Sequence, residues 1–591
     1  MSIVRNLQEA AVKSLTNLYN QPFTDKDFQV NLTKPEFEGD YTVVLFSLLK
    51  KTGKSPDALG QELGNDLIKN NPALFTHFNI IKGFLNLTVS DEFWLQLLQE
   101  HYHDRCYGSQ PMNGKKVMVE YSSPNTNKPL HLGHLRNNFL GWSVAEILKH
   151  AGYEVFKSCI VNDRGIHICK SMIAWQMFAD GATPQTNDVK GDHFVGEYYV
   201  KFNEEYKRQV AELVSKGMNE KEAEKEAPIM KATQQMLQDW EAGDPAVKEL
   251  WQRMNGWVYE GFDITYKNIG SDFDKIYYES NTYLLGKGIV QKGLEKNVFY
   301  RKEDSSVWIE LTADGLDEKL VLRKDGTSIY ITQDIGLAQQ KYDEYKIDRS
   351  IYVIGDEQNY HMKVLKLIAQ KLGVDNADAI YHLSYGMVEL PSGKMKSREG
   401  TVVDADDMVD DMINTAQRHT EELGKVKDFS KEDLVHLYNT IGLGAMKFYL
   451  LRVDPKKKMI FNPEESIDFH GFTGPFVQYT YARIKSILRK EQVDEKHPAF
   501  SGLLKTEKEL LVAIEQYPGV IGEAAKESDP SKIAIFVFNL AKTFNSFYSE
   551  LSVTHAENEE KKQLRLRLAT MTANILKNGM GMLGIDVPER M

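Results

Sequence analysis

The sequence predicts an α/β protein whose central domain is built on a parallel sheet, flanked by a small amino-terminal α/β domain and an all-α carboxyl-terminal bundle. At 591 residues the chain is too long for one hydrophobic core. Residues 117–119 form a short apolar strand, followed by a polar loop and a long amphipathic segment, which is typical of the first βα unit of a parallel sheet. In residues 431–591 nearly every segment has helical periodicity, which indicates a separate helical domain.

These patterns divide the chain into three predicted units. Residues 1–110 mix helical periods with short strand-like pieces and end near a turn-rich segment at 108–116, so they predict a small α/β domain. Residues 111–430 carry the parallel-sheet pattern, and a strongly charged helical stretch near 200–260 predicts an insertion packed on the sheet. Residues 431–591 form the helical unit.

Composition indicates a protein of the reducing cytoplasm. The three cysteines, Cys106, Cys159 and Cys169, lack paired CxxC spacing, so neither a disulfide framework nor a structural zinc site is expected. No apolar run is long enough to span a bilayer, and the amino terminus lacks the basic start and apolar core of a secretory signal, so no membrane partner is expected. The net charge of −12 limits any nucleic-acid contact to a confined basic patch.

The strongest local signal is the segment 121–134, which reads YSSPNTNKPLHLGH. It follows the predicted strand and opens a helix, so His131 and His134 lie at a helix amino terminus, where unpaired backbone N–H groups and the helix dipole attract phosphate. Gly133 between them lets a flat ring approach the backbone. A capped helix with two surface histidines is the alternative interpretation of this segment alone.

HLGH in this setting resembles the HIGH signature of the class I aminoacyl-tRNA synthetases, which implies a Rossmann-like catalytic domain that binds ATP with Mg²⁺. The segment 393–400, GKMKSREG, is similar to the family's second signature, KMSKS, and follows a strand-like segment and a Pro-Ser-Gly turn. The resemblance implies that ATP is bound by His131, Gly133, His134, Met395, Lys396 and Ser397. It also implies a catalytic role for both histidines and for Lys394.

The second signature departs from the family pattern at one position, because Ser397 stands where the consensus has its second lysine. Many arginyl-tRNA synthetases resemble this chain in that respect, and a lysine just before their first signature substitutes for the missing one. Lys128, three residues before His131, stands at that place. We therefore hypothesise that Lys128 is catalytic and supplies positive charge to the ATP phosphates.

Three further segments, 120–125, 325–334 and 352–358, resemble the arginyl members of the family. The resemblance implies that an arginine pocket is lined by Glu120, Ser123, Asn125, Tyr330, Asp334 and Gln358. Four more residues are implied nearby: Gly355 and Glu357 at the ATP ribose, and Asp163 and His167 beside the pocket. The chemistry agrees with this, since a guanidinium is a planar fork of five donors that carboxylates and an aromatic face satisfy.

Both ends of the chain resemble tRNA-binding parts of the same family. Residues 471–488 resemble the helix that starts the anticodon-binding bundle, and on it Phe476, Tyr479 and Arg483 have the spacing of one helix face. Aromatic rings and an arginine suit unstacked bases, and core packing of both aromatics is the alternative. The resemblance implies three more tRNA contacts: Met591 near the anticodon pocket, and Phe84 and Asn86 of the amino-terminal domain at a D-loop base.

The resemblance covers essentially the whole chain and implies a ligase that joins L-arginine to tRNA(Arg). Arginine and ATP would form arginyl-adenylate with release of pyrophosphate, and transfer to the 3′-terminal adenosine of the tRNA would follow. A cytoplasmic monomer is expected from the family. The alternatives are another class I synthetase, of the cysteinyl or glutamyl type, and a non-catalytic RNA-binding paralogue.

Overall fold

The computed structural model describes residues 3–326, 329–391, 403–422, 429–495 and 500–591. These ranges contain a four-stranded antiparallel sheet with helices, a five-stranded parallel sheet with helices, and a carboxyl-terminal group of packed helices, so the predicted fold class is confirmed. No helix within them has the length and hydrophobicity needed to cross a membrane.

The amino-terminal domain combines a twisted antiparallel sheet with amphipathic helices. Its elements are α1 (Ile3–Tyr19), β1 (Val30–Leu32), β2 (Tyr41–Val44), α2 (Phe46–Thr52), α3 (Pro56–Asn70), β3 (Phe75–Ile81), β4 (Phe84–Val89) and α4 (Asp91–His101). The strand order is β1-β2-β4-β3; α3 packs against β3 and β4, and α1 packs against α3. The Ser55 hydroxyl caps α3 by accepting a hydrogen bond from the Ala58 N–H, and Pro56 stands at its first position, which together explain why the helix begins there.

The central domain is a parallel sheet with helical crossovers. Its elements are β5 (Lys116–Glu120), α5 (Leu132–His150), β6 (Glu154–Val161), α6 (Ile166–Phe178), α7 (Pro184–Asn187), α8 (Gly191–Ser215), α9 (Glu220–Glu226), α10 (Pro228–Ala242), α11 (Pro245–Ile269), β7 (Lys275–Tyr278), α12 (Glu279–Thr282), α13 (Leu285–Glu295), β8 (Tyr300–Arg301), β9 (Val307–Ile309), β10 (Lys319–Leu322), α14 (Tyr330–Tyr345), β11 (Arg349–Gly355), α15 (Asn359–Leu372), β12 (Ile380–Tyr385) and β13 (Val388–Glu389).

The order of the five parallel strands fixes where a ligand can bind. The order is β12-β11-β5-β6-β7, so β5, the first of these strands in the chain, is flanked by β6 on one side and β11 on the other. The crossovers therefore run to opposite sides at β5 and leave a crevice outside the carboxyl ends of β5 and β11. This point of the sheet carries the candidate site.

The helical insertion is longer than the sequence pattern indicates. The prediction set it near 200–260, whereas helices α7 to α11 extend from Pro184 to Ile269. Its last helix, α11, continues because its apolar face stays buried as far as Ile269, and Gly270 then ends it in the left-handed conformation at φ 70°. The insertion packs on α6, the helix that follows the second strand of the parallel sheet.

From residue 405 onwards the described chain is almost entirely helical, and its first helix, Ala405–Glu422, still lies within the predicted unit 111–430. The elements of this part are α16 (Ala405–Glu422), α17 (Lys431–Leu451), β14 (Met459–Ile460), α18 (Pro463–Ser466), α19 (Gly474–Lys490), α20 (Lys505–Glu515), α21 (Tyr517–Glu527), α22 (Ser531–Glu550) and α23 (Glu559–Met582). The short strand β14 pairs in parallel with β13, which joins this part to the parallel-sheet domain.

A buried carboxylate connects the amino-terminal domain to the helical bundle. Glu515, at the end of α20, is 3% exposed and accepts hydrogen bonds from the Ile3 N–H at 2.7 Å and from the Tyr41 hydroxyl at 2.7 Å. A buried carboxylate is tolerated only when its oxygens have donors, so this contact fixes the amino-terminal domain against the helical bundle.

We predict that Tyr41→Phe lowers the free energy of unfolding by about 1–3 kcal/mol, because Glu515 loses a donor without regaining water. Urea denaturation followed by circular dichroism measures the change. Tyr300→Phe at the surface is the control and should stay within about 0.5 kcal/mol of the unsubstituted chain. Equal stability of both variants would contradict the prediction.

Candidate active site

A cavity of about 470 Å³ opens outside the carboxyl ends of β5 and β11. Its wall contains all six residues predicted for one pocket: Glu120, Ser123, Asn125, Tyr330, Asp334 and Gln358. These residues come from three separate segments of the sequence, so the fold brings together what the motifs only implied. His167 also lines the cavity, whereas Asp163 lies behind it and is 1% exposed.

Glu120 has a different environment from the one predicted. The sequence implied a carboxylate facing a ligand, but Glu120 accepts a hydrogen bond from the ammonium of Lys341, and both side chains are buried. The Lys341 ammonium also lies 4.5 Å from the centre of the Tyr352 ring. Burial alone would lower the pKa of Lys341, but Glu120 and Tyr352 together outweigh it and raise that pKa. The two charges therefore offset each other at the floor of the cavity, and Glu120 offers a ligand little net charge.

Glu279 is a functional candidate that the sequence motifs missed. It directly follows β7, a strand of the same parallel sheet, and its side chain lines the cavity. Burial raises the pKa of Glu279 to about 7, with Asp163 and Asp334 adding to the rise and Arg164 opposing it. The available signal was positional only, since polar residues just after parallel strands collect at one edge of the sheet.

Asp334 lies on α14 and carries the second accessible carboxylate of the cavity. Its Oδ2 is 2.8 Å from Nε2 of His361, which also lines the wall. Tyr330, one turn earlier on α14, is 68% exposed and presents its ring at the mouth. Gln358 stands in a short 3₁₀ turn after β11 and is exposed. The wall therefore combines carboxylates, an aromatic face and amide groups, and its carboxylate and amide oxygens can accept hydrogen bonds from a ligand.

The turn after β5 is strained so that its polar groups reach the cavity. Ser122 and Ser123 have φ values of 81° and 47°, in the left-handed region that non-glycine residues rarely adopt. The Ser122 N–H donates to Oδ1 of Asn137 on α5 at 2.6 Å, which helps to hold this backbone. The turn leaves Ser123 half-buried and Asn125 exposed at the cavity wall.

The two signature histidines cap the amino terminus of α5. The Gly133 N–H donates to Nδ1 of His131 at 3.1 Å, and the His131 N–H donates to Nδ1 of His134 at 3.1 Å. Burial lowers the pKa of His131 to about 4, and burial together with His131 and Lys128 lowers the pKa of His134. Both rings are therefore neutral at neutral pH, and each has its proton on Nε2 because Nδ1 accepts. Each Nε2–H is a donor, as phosphate oxygens require.

Lys128 lies close to this pair. Its charge contributes to the lowered pKa of both histidines, and with His131 it lines a neighbouring cavity of about 240 Å³. At Gly133, an added Cβ would lie 3.0 Å from the His131 ring, so the position has no room for a side chain unless the ring moves. Gly355 is the last residue of β11, and Glu357, two residues further on, is exposed.

The second signature, with Lys394, Met395, Lys396 and Ser397, lies outside the described residues. Both of its described flanks contact the first signature. On one side, the guanidinium of Arg136 donates to the carbonyl of Gly386 at 2.6 Å. On the other, the Ala405 N–H donates to the Leu130 carbonyl at 3.0 Å, next to a bridge between His131 and Asp404.

The two residues of the amino-terminal domain that are predicted to contact nucleic acid differ in their exposure. Phe84 is 38% exposed and packs edge-to-face against Phe46, which is 51% exposed. Asn86 is only 2% exposed; its Oδ1 accepts from Thr42 Oγ1 at 2.6 Å and its amide donates to Asn79 Oδ1 at 2.8 Å. Both ends of the Asn86 amide are therefore used within the sheet, and its contact with a base stays a prediction that this arrangement does not support.

On α19 the predicted residues share one face. The guanidinium carbon of Arg483 lies 5.0 Å from the Tyr479 ring centre, and Arg483 also donates to Asn545. Phe476 is half-buried, with its ring 5.0 Å from that of Phe538. Met591 is half-buried against the same hydrophobic core. Tyr479 and Arg483 thus offer a partly exposed stacking surface, whereas Phe476 is largely engaged in packing.

Comparisons with known proteins cover the whole chain. Three family models match it: the arginyl-tRNA synthetase amino-terminal domain over 5–89, the class I (R) tRNA synthetase catalytic domain over 96–462, and the DALR anticodon-binding domain over 477–591. The chain is 53% identical to the arginine–tRNA ligase of Flavobacterium psychrophilum, over 99% of this chain and 100% of that protein. It is 52% identical to that of Bacteroides fragilis, over the full length of both.

Solved structures have the same fold at low sequence identity. The Thermus thermophilus arginyl-tRNA synthetase matches with a TM-score of 0.78 at 24% identity, covering all of both chains. The Plasmodium falciparum arginyl-tRNA synthetase matches with a TM-score of 0.79 at 18% identity, covering 100% of this chain and 99% of that one.

We predict that His131 stays neutral from pH 8 down to about pH 5, since burial lowers its pKa to about 4. Nitrogen chemical shifts of isotope-labelled histidine, assigned with His131→Gln, measure the titration. Lys128→Ala should raise this pKa because a neighbouring positive charge is removed, whereas Lys505→Ala in the distant and exposed start of α20 should not. Titration of wild-type His131 near pH 6.5 would show that the ring is solvated and would contradict the prediction.

Proposed function

The chain belongs to the class I arginyl-tRNA synthetases, and we propose that it joins L-arginine to tRNA(Arg) in the cleft at the carboxyl ends of β5 and β11. The observation that carries the proposal is the cavity in which the six predicted arginine-binding residues meet, close to the capped histidines of α5. The full-length identity of about half to arginine–tRNA ligases supports it.

In the first step, an oxygen of the arginine carboxylate attacks the α-phosphorus of ATP, and pyrophosphate leaves. ATP enters as its magnesium complex. His131 and His134 donate hydrogen bonds from Nε2 to phosphate oxygens, and Lys128 adds positive charge as negative charge develops on the pyrophosphate. Lys394, with Met395, Lys396 and Ser397, is proposed to act on the same phosphates. Gly355 and Glu357 at the end of β11 are proposed to approach the ribose.

In the second step, a hydroxyl oxygen of the terminal adenosine of the tRNA attacks the arginyl carbonyl carbon. The bond from that carbon to the phosphate oxygen breaks, and AMP leaves as its phosphate takes up the hydroxyl proton. No redox or metal-bound intermediate is needed. The enzyme contributes mainly by holding the two reactants in line, because phosphoryl and acyl transfer of this kind gain most from positioning and charge stabilisation.

Recognition of arginine is proposed to depend on Asp334, Glu279 and Tyr330. The guanidinium has five donors in one plane, which two carboxylates can accept at its edge while an aromatic ring covers its face. A lysine ammonium cannot reach both carboxylates with the same geometry, and a neutral side chain would leave them unsatisfied. Ser123, Asn125 and Gln358 are proposed to hold the amino-acid end, and Glu120 to support the floor through Lys341.

The domain division at 1–110, 111–430 and 431–591 remains our proposal, as do the tRNA contacts. The exposed Phe84 ring supports a contact from the amino-terminal domain, and the Tyr479–Arg483 surface supports one from the helical domain, with Phe476 and Met591 beside it. A monomer in the cytoplasm is the family expectation that we carry over.

Amino-acid-dependent exchange of pyrophosphate into ATP, run with a panel of amino acids with and without tRNA, tests the proposed function. Exchange with arginine alone among the panel is the expected result. Exchange with cysteine or glutamate would indicate another class I specificity, and no exchange even with tRNA present would indicate a non-catalytic RNA-binding protein.

We predict that Glu279→Gln lowers kcat/KM for arginine about 10–100-fold at pH 8, the usual effect of losing a hydrogen bond to a charged group. Because the pKa of Glu279 is raised to about 7, kcat/KM of the wild type should also fall as the pH drops from 8 to 6 and the carboxylate becomes neutral. Glu279→Gln should remove that dependence. Glu249→Gln, on the exposed face of α11, is the control and should keep it. An unchanged pH profile in Glu279→Gln would contradict the assignment.

We predict that Lys128→Ala lowers kcat of arginine-dependent pyrophosphate exchange about 10²–10³-fold, the effect of removing one group that stabilises transition-state charge. The KM for arginine should change little, since Lys128 lies beside the histidines and does not line the arginine cavity. Lys128→Arg should retain part of the rate because it keeps the charge. Unchanged exchange in Lys128→Ala would assign the missing charge to another residue.

A further inference from the structure

Asp163 is the most heavily hydrogen-bonded carboxylate around the cavity, although it does not line it. Its Oδ1 accepts from the Ser280 N–H at 2.8 Å, and its Oδ2 accepts from the Ser280 hydroxyl at 2.6 Å and the Tyr259 hydroxyl at 2.8 Å. With 1% exposure and both oxygens engaged, it cannot contact a ligand. Its part in the molecule must be to hold other groups in position.

The donors come from two elements that are far apart in sequence. Ser280 belongs to α12, directly after Glu279, whereas Tyr259 lies on α11 at the end of the helical insertion. Two more side chains of α11 donate to the backbone carbonyl of Asp163, Trp251 at 2.6 Å and Asn255 at 3.3 Å. Asp163 therefore connects the insertion to α12, the one-turn helix that carries Glu279.

The next residue, Arg164, makes a second connection between the insertion and α12. Its guanidinium carbon lies 4.0 Å from the centre of the Tyr283 ring and 5.2 Å from that of Trp240, and its NH2 group donates to Glu241 at 2.7 Å. Trp240 and Glu241 belong to α10 of the insertion, whereas Tyr283 follows α12. Through Asp163 and Arg164, the insertion is thus linked to both ends of α12, the short helix that begins with Glu279.

We propose that the helical insertion is a specificity element for arginine, in which α11 acts through Asp163 and Ser280 to fix the position of the Glu279 carboxylate. The inference rests on the proposed function, because it takes arginine as the ligand of Glu279. Asp163, Ser280 and Tyr259 are positioning residues in this scheme. A carboxylate on a freely moving turn would lose affinity to the entropy of ordering it, whereas a turn held by these bonds is ordered before the ligand arrives.

The hydrogen-bond count explains why the central residue is an aspartate. Three donors converge on its two oxygens, and every oxygen of a carboxylate is an acceptor. An asparagine with its NH₂ group towards the two hydroxyls would remove the acceptor for both hydroxyl protons, so these hydroxyls would have to turn round and accept instead. A negative charge so near Glu279 opposes ionisation of that residue, so the aspartate carries an electrostatic cost, which fits a positional role.

Two variants of the full-length enzyme test the proposal by removing one hydroxyl each: Tyr259→Phe and Ser280→Ala. Tyr206→Phe is the matched control, since its hydroxyl donates to the Glu224 carbonyl elsewhere in the insertion and does not approach Asp163. Ser280→Thr keeps the hydroxyl and serves as the rescue variant. The measurements are the KM values for arginine and for ATP, kcat of tRNA charging, and the melting temperature.

We expect Tyr259→Phe and Ser280→Ala each to raise the KM for arginine about three- to tenfold, with the KM for ATP unchanged, because each loses one hydrogen bond that orders the turn. Tyr206→Phe and Ser280→Thr should keep the wild-type KM for arginine. In the double variant of Tyr259→Phe and Ser280→Ala, the KM for arginine should rise by less than the product of the two single rises, since both hydroxyls share one acceptor oxygen.

Two results would overturn the inference. One is a lowered melting temperature with an unchanged KM for arginine, which would make the cluster purely structural. The other is an equal rise in KM for arginine and ATP, which would indicate a general distortion of the cleft. Failure of the proposed function gives a different result, because the wild type itself would then show no arginine-dependent charging.

Discussion

The guanidinium of Arg136 is fully excluded from solvent in the first half of α5, two residues after the second signature histidine, His134. Its two terminal nitrogens donate to four backbone carbonyls, those of Gly386, Met387, Pro455 and Lys457. Burial lowers the pKa of Arg136 to about 10, so it remains charged at neutral pH and these carbonyl dipoles must compensate the charge. The helix of the first signature, the segment leading to the second and the start of the helical domain are therefore held in one arrangement. Since residues 403–405 pair with 130–132 on the other side, both flanks of the second signature are fixed to the first.

The three carboxylates around the cavity have different environments before any ligand enters. Glu120 is compensated by Lys341, Asp334 lies against His361, and burial beside two other acids keeps Glu279 close to half ionised at neutral pH. Several bare carboxylates in one cleft would repel each other and destabilise the fold, and this arrangement avoids that cost. In the proposed function, a guanidinium that enters the cavity favours the ionised form of Glu279 by its positive charge. Binding of the cation and ionisation of Glu279 are therefore coupled, because each favours the other.

Local patterns were enough to predict the parallel sheet, the helical carboxyl-terminal bundle and the capped histidines, since periodicity and a strand–loop–helix sequence report on neighbours in the chain. The contacts that correct the site depend on residues that are far apart in the sequence. Lys341 reaches Glu120 across 221 positions, and Glu279 carries no motif of its own. Asn86 has the strand position of an outward residue, yet Thr42 and Asn79 on neighbouring strands cover it. Asp163 was expected only beside the pocket, because nothing in its own segment shows that Tyr259 and Ser280 converge on it.

The neutral histidines clarify which groups must carry charge during catalysis. An imidazolium pair at the start of α5 would be unfavourable, because burial, the neighbouring ring and Lys128 all oppose protonation. Neutral rings still donate from Nε2, so in the proposed mechanism they orient phosphate oxygens without carrying charge at neutral pH. They do not neutralise a triphosphate, however. The positive charge that offsets the leaving pyrophosphate then has to come from Mg²⁺ and from cations around the rings. In our proposal Lys128 supplies part of it, in a chain whose second signature has a serine where the consensus has a lysine.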